Sequence, residues 1–192
     1  AGRVLVALLG GTRDLDVRQP ELMFRHVDAL QLEQLTVVCG CGGGEAVRAA
    51  LPQVLAQAPR LVLDADALNA IASDAALAQA LADRAPKAHA TVLTPHPLEA
   101  ARLLGTDAAS VQSHRLAAAE HLAERFQCVV VLKGSGTVVA APNQAPRINP
   151  TGNALLATAG TGDVLAGLIG AYWAAGPAPP DAAAEAVYAH GR

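Results

Sequence analysis

One aspartate in this chain stands between closely spaced glycines and a long apolar helical pattern. It is Asp163, in the stretch AGTGDVLAGLIGAYWAAG (159–176). Glycine lets a backbone approach a ligand closely, and a helix start leaves N–H groups free and favours an anion nearby. A carboxylate beside such amides could take a proton from a hydroxyl while the amides hold phosphate oxygens. We predict that Asp163 is a catalytic base; the alternative is a first-turn aspartate that only stabilises the helix.

A second glycine-rich segment, VVVLKGSGTVVAAP (129–142), predicts a strand, a glycine turn and another strand. Lys133 lies where the first of these strands ends, and the amides after it could form an anion-binding nest. The alternative is a surface lysine in a hairpin, with Thr137 an ordinary strand residue.

The segment LTPHPLEAARLLG (93–105) places His96 between two prolines, which fix the backbone direction at low entropic cost. Glu99 follows three residues later, in the first turn of a predicted helix. A capping arrangement around Thr94, or a solvated first-turn glutamate, is the alternative to a site role for these residues.

Two further motifs follow predicted strands. LDADALNAI (63–71) contains Asp64 and Asp66, of which Asp66 could cap the next helix; capping does not explain both carboxylates, so we expect one of them to bind a ligand or metal. CGCGGGEAV (39–47) resembles a phosphate-binding turn before a helix, although a plain tight turn explains it equally well.

The elements that must position these residues follow from hydrophobic patterning. Continuous apolar runs of strand length predict buried strands, and they alternate with alanine-rich helical patterns. The predicted strands are 4–9, 35–40, 61–66, 91–95 and 128–134, with 137–142 as an antiparallel partner of the last. This alternation predicts an α/β fold with a largely parallel central sheet and helices on both faces. The carboxyl ends of such strands share one edge, where ligands bind.

Length, charge and composition bear on the number of domains, the partners and the location of the protein. A chain of 192 residues fits one domain, 1–192, and its formal net charge of −3 gives no electrostatic footprint for nucleic acid or an anionic membrane. No apolar run reaches membrane-spanning length and no signal-peptide pattern is present, so we expect a cytoplasmic protein. Three cysteines without a CxxC pair favour buried reduced thiols. Both ends of the sequence look like cuts through a fold, so we expect parts of the N- and C-terminal portions to be missing.

Taken together, the segments NPTGNALLATAGTGDVLAG, LDADALN, TPHPLEAARLLG and VVLKGSGTVVA resemble the ADP-dependent NAD(P)H-hydrate dehydratase family, and the resemblance covers nearly the whole chain. It implies a ribokinase-like fold. It also implies ADP-dependent dehydration of the S epimer of hydrated NADH (NADHX) and hydrated NADPH (NADPHX), which yields NAD(P)H, AMP and phosphate. Magnesium and a homo-oligomeric assembly are further implications.

The resemblance also assigns roles to residues. Gly42, His96 and Asp163 correspond to positions that contact the hydrated nicotinamide nucleotide, and Glu99 corresponds to a glutamate near magnesium that would act through water. The positions implied in adenine-nucleotide binding are Lys133, Gly134, Ser135, Gly136, Thr137 and Gly162.

Two residues depart from the family's pattern: Cys41 stands where a proline is usual, and Leu98 where a glycine is usual. Two other functions remain open on the residues alone. A small-molecule kinase of the same fold also needs a base beside an anion hole, although DADALN and TPHP favour the dehydratase. A non-catalytic module that binds adenine nucleotide is the other alternative.

Overall fold

The computed structural model describes residues 2–9, 11 and 15–192. These residues form eight strands and eight α-helices. The strands are β1 Leu5–Val6, β2 Met23–Phe24, β3 Thr36–Cys39, β4 Arg60–Leu63, β5 Ala90–Leu93, β6 Val129–Leu132, β7 Val138–Ala140 and β8 Arg147–Ile148. The helices are α1 Ala46–Gln57, α2 Ala65–Ala72, α3 Ala75–Ala82, α4 Pro97–Leu104, α5 Ala108–Ser113, α6 Arg115–Phe126, α7 Thr161–Ala174 and α8 Pro179–His190.

The central sheet has six strands in the order β3-β4-β5-β6-β7-β8. The first four are parallel, and β7 and β8 continue the sheet antiparallel to their neighbours. The predicted largely parallel sheet and the predicted antiparallel pairing of 137–142 with the preceding strand are therefore confirmed. The short β8 strand was not predicted.

Helices cover both faces of this sheet, as predicted. Alternate residues of one strand face different cores: Leu61 and Leu63 pack with α1 to α6, whereas Val62 packs with α7 and α8. This explains why the patterns of β4, β5 and β6 are continuously apolar, since both faces of these strands are covered. On the second face, α7 approaches β3 so closely that a Cβ on Gly170 would lie 2.5 Å from the Val38 side chain.

The predicted first strand, 4–9, does not belong to this sheet. Only Leu5–Val6 is extended in a ladder, and it pairs in parallel with Met23–Phe24 as a separate two-stranded unit. Its residues are half-buried. Residues 10 and 12–14 of the adjoining segment lie outside the described residues.

No helix within the described part of the chain combines the length and the apolar character needed to cross a bilayer. The three cysteines are free thiols; Cys39 and Cys128 are buried as predicted, whereas Cys41 is only partly buried.

Candidate active site

The glycine-rich segment that leads into α7 places its backbone against two charged side chains. A Cβ added to Gly162 would lie 3.3 Å from the Lys133 ammonium and 3.9 Å from a carboxylate oxygen of Asp64. The turn before it is fixed by Thr161, whose hydroxyl donates to the carbonyl oxygens of Leu156 and Thr158, both at 2.8 Å. Residue 162 must therefore be small for α7 to begin beside Lys133. Asp163, the next residue, is exposed at the helix start.

Lys133 is held at the carboxyl end of β6 by charge. Its ammonium lies 2.6 Å from Asp64 Oδ1 and 3.9 Å from Glu99 Oε2, and its side chain is only 17% exposed. Its backbone N–H donates to the carbonyl oxygen of Pro95 at 2.9 Å. Lys133 is therefore not a free surface lysine. The structure joins the ends of β4, β5 and β6 through one cation.

The carboxylates of Asp64 and Asp163 lie close to the thiol of Cys41. The Cys41 Sγ and one carboxylate oxygen from each aspartate all lie within 4.8 Å of one another. Burial, and after it the negative charges of Asp64 and Asp163, raises the pKa of the Cys41 thiol to about 12. The thiol is therefore protonated at neutral pH, and it donates a hydrogen bond to Asp64 Oδ2 at 3.9 Å. The residue that departs from the family's usual proline thus lies within 4.8 Å of the predicted base.

The His96 region forms a reciprocal cap at the start of α4. The imidazole Nδ1 accepts the N–H groups of Leu98 and Glu99, and Glu99 Oε2 accepts the N–H of His96 at 2.8 Å. Capping is thus present, but it is centred on His96 and not on Thr94, whose hydroxyl donates to the Leu63 carbonyl oxygen. Glu99 is buried rather than solvated.

This cap bears on the predicted magnesium contact. Glu99 Oε1 lies 3.3 Å from His96 Nε2, so both carboxylate oxygens already have protein partners. A magnesium ion bound directly to Glu99 would compete with these partners, and the water-mediated role of Glu99 remains a prediction. The Cys41 cluster fits magnesium poorly as well, because a thiol is a soft ligand and Mg²⁺ prefers oxygen.

Asp66 does not cap α2 with its side chain. Residue 64 occupies the N-cap position of that helix, and Asp66 Oδ2 instead accepts the N–H of Gly44 at 2.8 Å. One amide of the 39–47 turn is therefore occupied by a carboxylate of the protein itself. Gly42, the predicted substrate contact, is exposed in the same turn, one residue after Cys41.

A cavity of about 520 Å³ lies between the β6–β7 turn and the two last helices. All six predicted nucleotide-binding residues line it. Sequence reasoning missed much of the opposite wall, namely Asn149, Pro150, Thr151, Gly152, Asn153, Val187, His190 and Gly191. The stretch NPTGN carries a signal only through the family resemblance. Nothing in the pattern of α8 indicates that its end lies beside a glycine turn more than 50 residues earlier in the chain.

The family model described as NAD(P)H-hydrate dehydratase, of the carbohydrate-kinase type, matches residues 6–192 of this chain. The chain belongs to this family. The resemblance inferred from the motifs is thereby confirmed.

Individual relatives support the assignment to the dehydratase family. The chain is 43% identical to the ADP-dependent (S)-NAD(P)H-hydrate dehydratase of Neisseria meningitidis over 90% of its length and 59% of that protein. A structure of the ADP/ATP-dependent dehydratase of Bacillus subtilis, co-crystallised with ATP and Mg²⁺, matches 91% of the chain and 64% of that protein, with a TM-score of 0.69 and 30% identity. A ribokinase-like protein of Enterococcus faecalis gives 0.73 at 27% identity, covering 91% of the chain and 61% of that protein.

Two facts follow from these comparisons. The ribokinase-like fold implied by the resemblance is confirmed. The chain spans about three-fifths of the length of the dehydratases that it matches.

Proposed function

We propose that this member of the dehydratase family repairs hydrated NADH and NADPH. The reaction consumes the S epimer of the hydrate together with ADP and yields NAD(P)H, AMP and phosphate. Phosphorylation of the ring hydroxyl makes it a better leaving group. Loss of phosphate together with a proton from the neighbouring ring carbon then restores the double bond.

The position of Asp163 is the observation that carries this proposal. It follows Gly162, which lines the cavity, and its carboxylate lies beside Cys41 in the turn that contains Gly42. A base placed there can reach a hydroxyl bound on the Gly42 side and a phosphoryl group bound on the cavity side. The same position supports a kinase equally well, and the choice of the dehydratase rests on the family.

In this proposal the residues have separate tasks. Asp163 takes the hydroxyl proton so that the oxygen can attack the terminal phosphorus of ADP. The amides at the start of α7 and in the 133–137 turn hold the phosphate oxygens. Lys133 adds positive charge beside them, although its pairing with Asp64 at 2.6 Å shares that charge with the protein. Gly42 and His96 bind the hydrated nucleotide.

Three further features belong to the proposal because of the family. Magnesium would accompany the nucleotide phosphates, where it neutralises charge that develops during phosphoryl transfer. The protein would act in the cytoplasm and assemble as a homo-oligomer.

The test is to supply the S epimer of hydrated NADH with ADP and magnesium, and to follow recovery of dihydronicotinamide absorbance with AMP and phosphate release. We expect Asp163→Asn to lower kcat by roughly a hundredfold to ten-thousandfold, the usual contribution of a general base. Affinity for ADP should change little, because the substitution keeps the shape of the side chain.

The matched control is Asp181→Asn, which removes a carboxylate from a half-exposed surface pair with Arg147. It should keep wild-type turnover. Full activity in Asp163→Asn would overturn the assigned role. Accumulation of a stable phosphorylated product would indicate a kinase, and binding of ADP without phosphate release would indicate a binding module.

A further inference from the structure

Arg115 contacts the backbone of the predicted nucleotide turn without lining the cavity. It lies at the start of α6, and one guanidinium nitrogen contacts the carbonyl oxygens of Leu132 and Gly136 at 3.1 and 3.3 Å. Its other terminal nitrogen contacts the Lys133 carbonyl oxygen at 3.4 Å. Arg115 itself does not line the cavity, whereas residues 133–137 do.

These contacts fix the directions of peptide planes. In a trans peptide the C=O of one residue and the N–H of the next point to opposite sides, and no described peptide bond is cis. Carbonyl oxygens of Lys133 and Gly136 that face Arg115 therefore turn the N–H groups of Gly134 and Thr137 away from it. Both of these residues belong to the cavity wall.

The side chain of Arg115 is itself positioned for this contact. Gln112 Oε1 accepts from the same nitrogen that approaches Lys133, at 2.9 Å. A Cβ on Gly134 would lie 2.8 Å from that nitrogen, and Gly134 has a φ of +142°, which disfavours other residues. Gly134 thus leaves room for the guanidinium and also allows the backbone conformation of the turn.

We propose that Arg115 is a positioning residue for nucleotide binding: its guanidinium holds three carbonyl oxygens so that the amides of the 133–137 turn face the phosphates of a nucleoside diphosphate. This proposal rests on the proposed function in one respect, which is that the ligand of the cavity is a nucleoside diphosphate. The fork of a guanidinium can contact several carbonyls at once, and an ammonium cannot reproduce that geometry.

The experiment measures ADP affinity by titration calorimetry and, separately, KM for ADP and kcat. We expect Arg115→Lys to weaken ADP binding by about tenfold, equivalent to about 1.4 kcal/mol. Its kcat at saturating ADP should stay within about twofold, because the base and the reacting groups are unchanged. Millimolar guanidinium should restore part of the ADP affinity of Arg115→Ala.

The matched control is Arg125→Ala, which removes another arginine of α6 that contacts a carbonyl oxygen, that of Leu103. It should keep wild-type ADP affinity. Unchanged affinity in both Arg115 variants, or an equal loss in Arg125→Ala, would overturn the proposal. If Arg115→Ala does not fold, Arg115→Lys decides the result by itself.

The two proposals fail differently. Wild-type protein that binds ADP without recovering NADH overturns the dehydratase function but leaves the Arg115 measurement intact. Wild-type protein that binds no ADP overturns both.

Discussion

At the scale of single residues, burial controls the chemistry of the three thiols. Burial raises the pKa of Cys39 from 9.0 to about 11, and it raises the pKa of the fully buried Cys128 thiol as well. Cys41 responds additionally to two carboxylates. None of the three is a thiolate at neutral pH, so Cys41 does not act as a nucleophile at the site. Its thiol instead donates a hydrogen bond to Asp64, beside the predicted base.

These pKa values predict a loss of stability at alkaline pH. Between pH 9 and 11 the unfolded chain releases the Cys39 proton while the folded chain retains it, so the free energy of unfolding falls as pH rises. One such thiol contributes up to about 1.4 kcal/mol per pH unit. Urea unfolding of the wild type and Cys39→Ala between pH 8.5 and 10.5 tests this. Cys39→Ala should show the shallower decline, and identical slopes would contradict the assignment.

At the scale of elements, a buried arginine joins helices to strands at the amino-terminal edge of the sheet. Arg84 is 2% exposed and donates to Thr91 Oγ1 at 2.8 Å and to the carbonyl oxygens of Ala58 at 2.7 Å, Leu55 and Ala90. Leu55 and Ala58 lie at the end of α1, and Ala90 and Thr91 are the first two residues of β5. Desolvation by burial lowers the pKa of Arg84 to about 10.

Replacing Arg84 should therefore cost much more than replacing a surface arginine. We expect Arg84→Ala to lower the free energy of unfolding by roughly 3 kcal/mol or more, because several buried acceptors lose their donor. Arg48→Ala is the control: its ion pair with Asp74 is partly exposed and should cost less than about 1 kcal/mol. Urea unfolding at pH 7 measures both; equal losses would mean that Arg84 does not join these elements.

At the scale of the whole molecule, the cavity collects segments that are distant along the chain. Its wall combines the turn after β6, the segment after β8, the start of α7 and the end of α8. These segments come together only in the folded chain, so a ligand that needs all of them binds the folded state and not the unfolded chain. Ligand binding should consequently stabilise the entire fold.

We expect ADP at a hundred times its Kd to stabilise the wild type by about 2.7 kcal/mol, seen as a rise in Tm. Gly162→Val should lose most of this shift, because its side chain would meet Lys133 at the cavity wall. Gly167→Ala is the matched control in α7, since a Cβ there meets nothing within 4 Å. It should keep the ADP shift, and an equal loss in both variants would place ADP elsewhere.

The sequence by itself determined the fold class and the family. Strand patterns with no polar face predict a parallel sheet that is covered on both sides. Glycine before a charged residue indicates that the backbone closely approaches another group. Both signals are local in the sequence. The sequence also determined that Asp64 and Lys133 each follow a buried strand. The prediction that residues 4–9 belong to the central sheet was wrong, because an apolar run does not indicate which strand it will pair with.

Tertiary structure decided which groups share the site. The Lys133–Asp64 pair joins residues 69 positions apart, Arg115 reaches the nucleotide turn from another helix, and His190 closes the cavity from α8. It also decided that Asp66 accepts the Gly44 amide instead of capping α2, and that Glu99 is held by His96. Contacts of this kind depend on strand order and helix packing, which hydrophobic periodicity along one sequence does not encode.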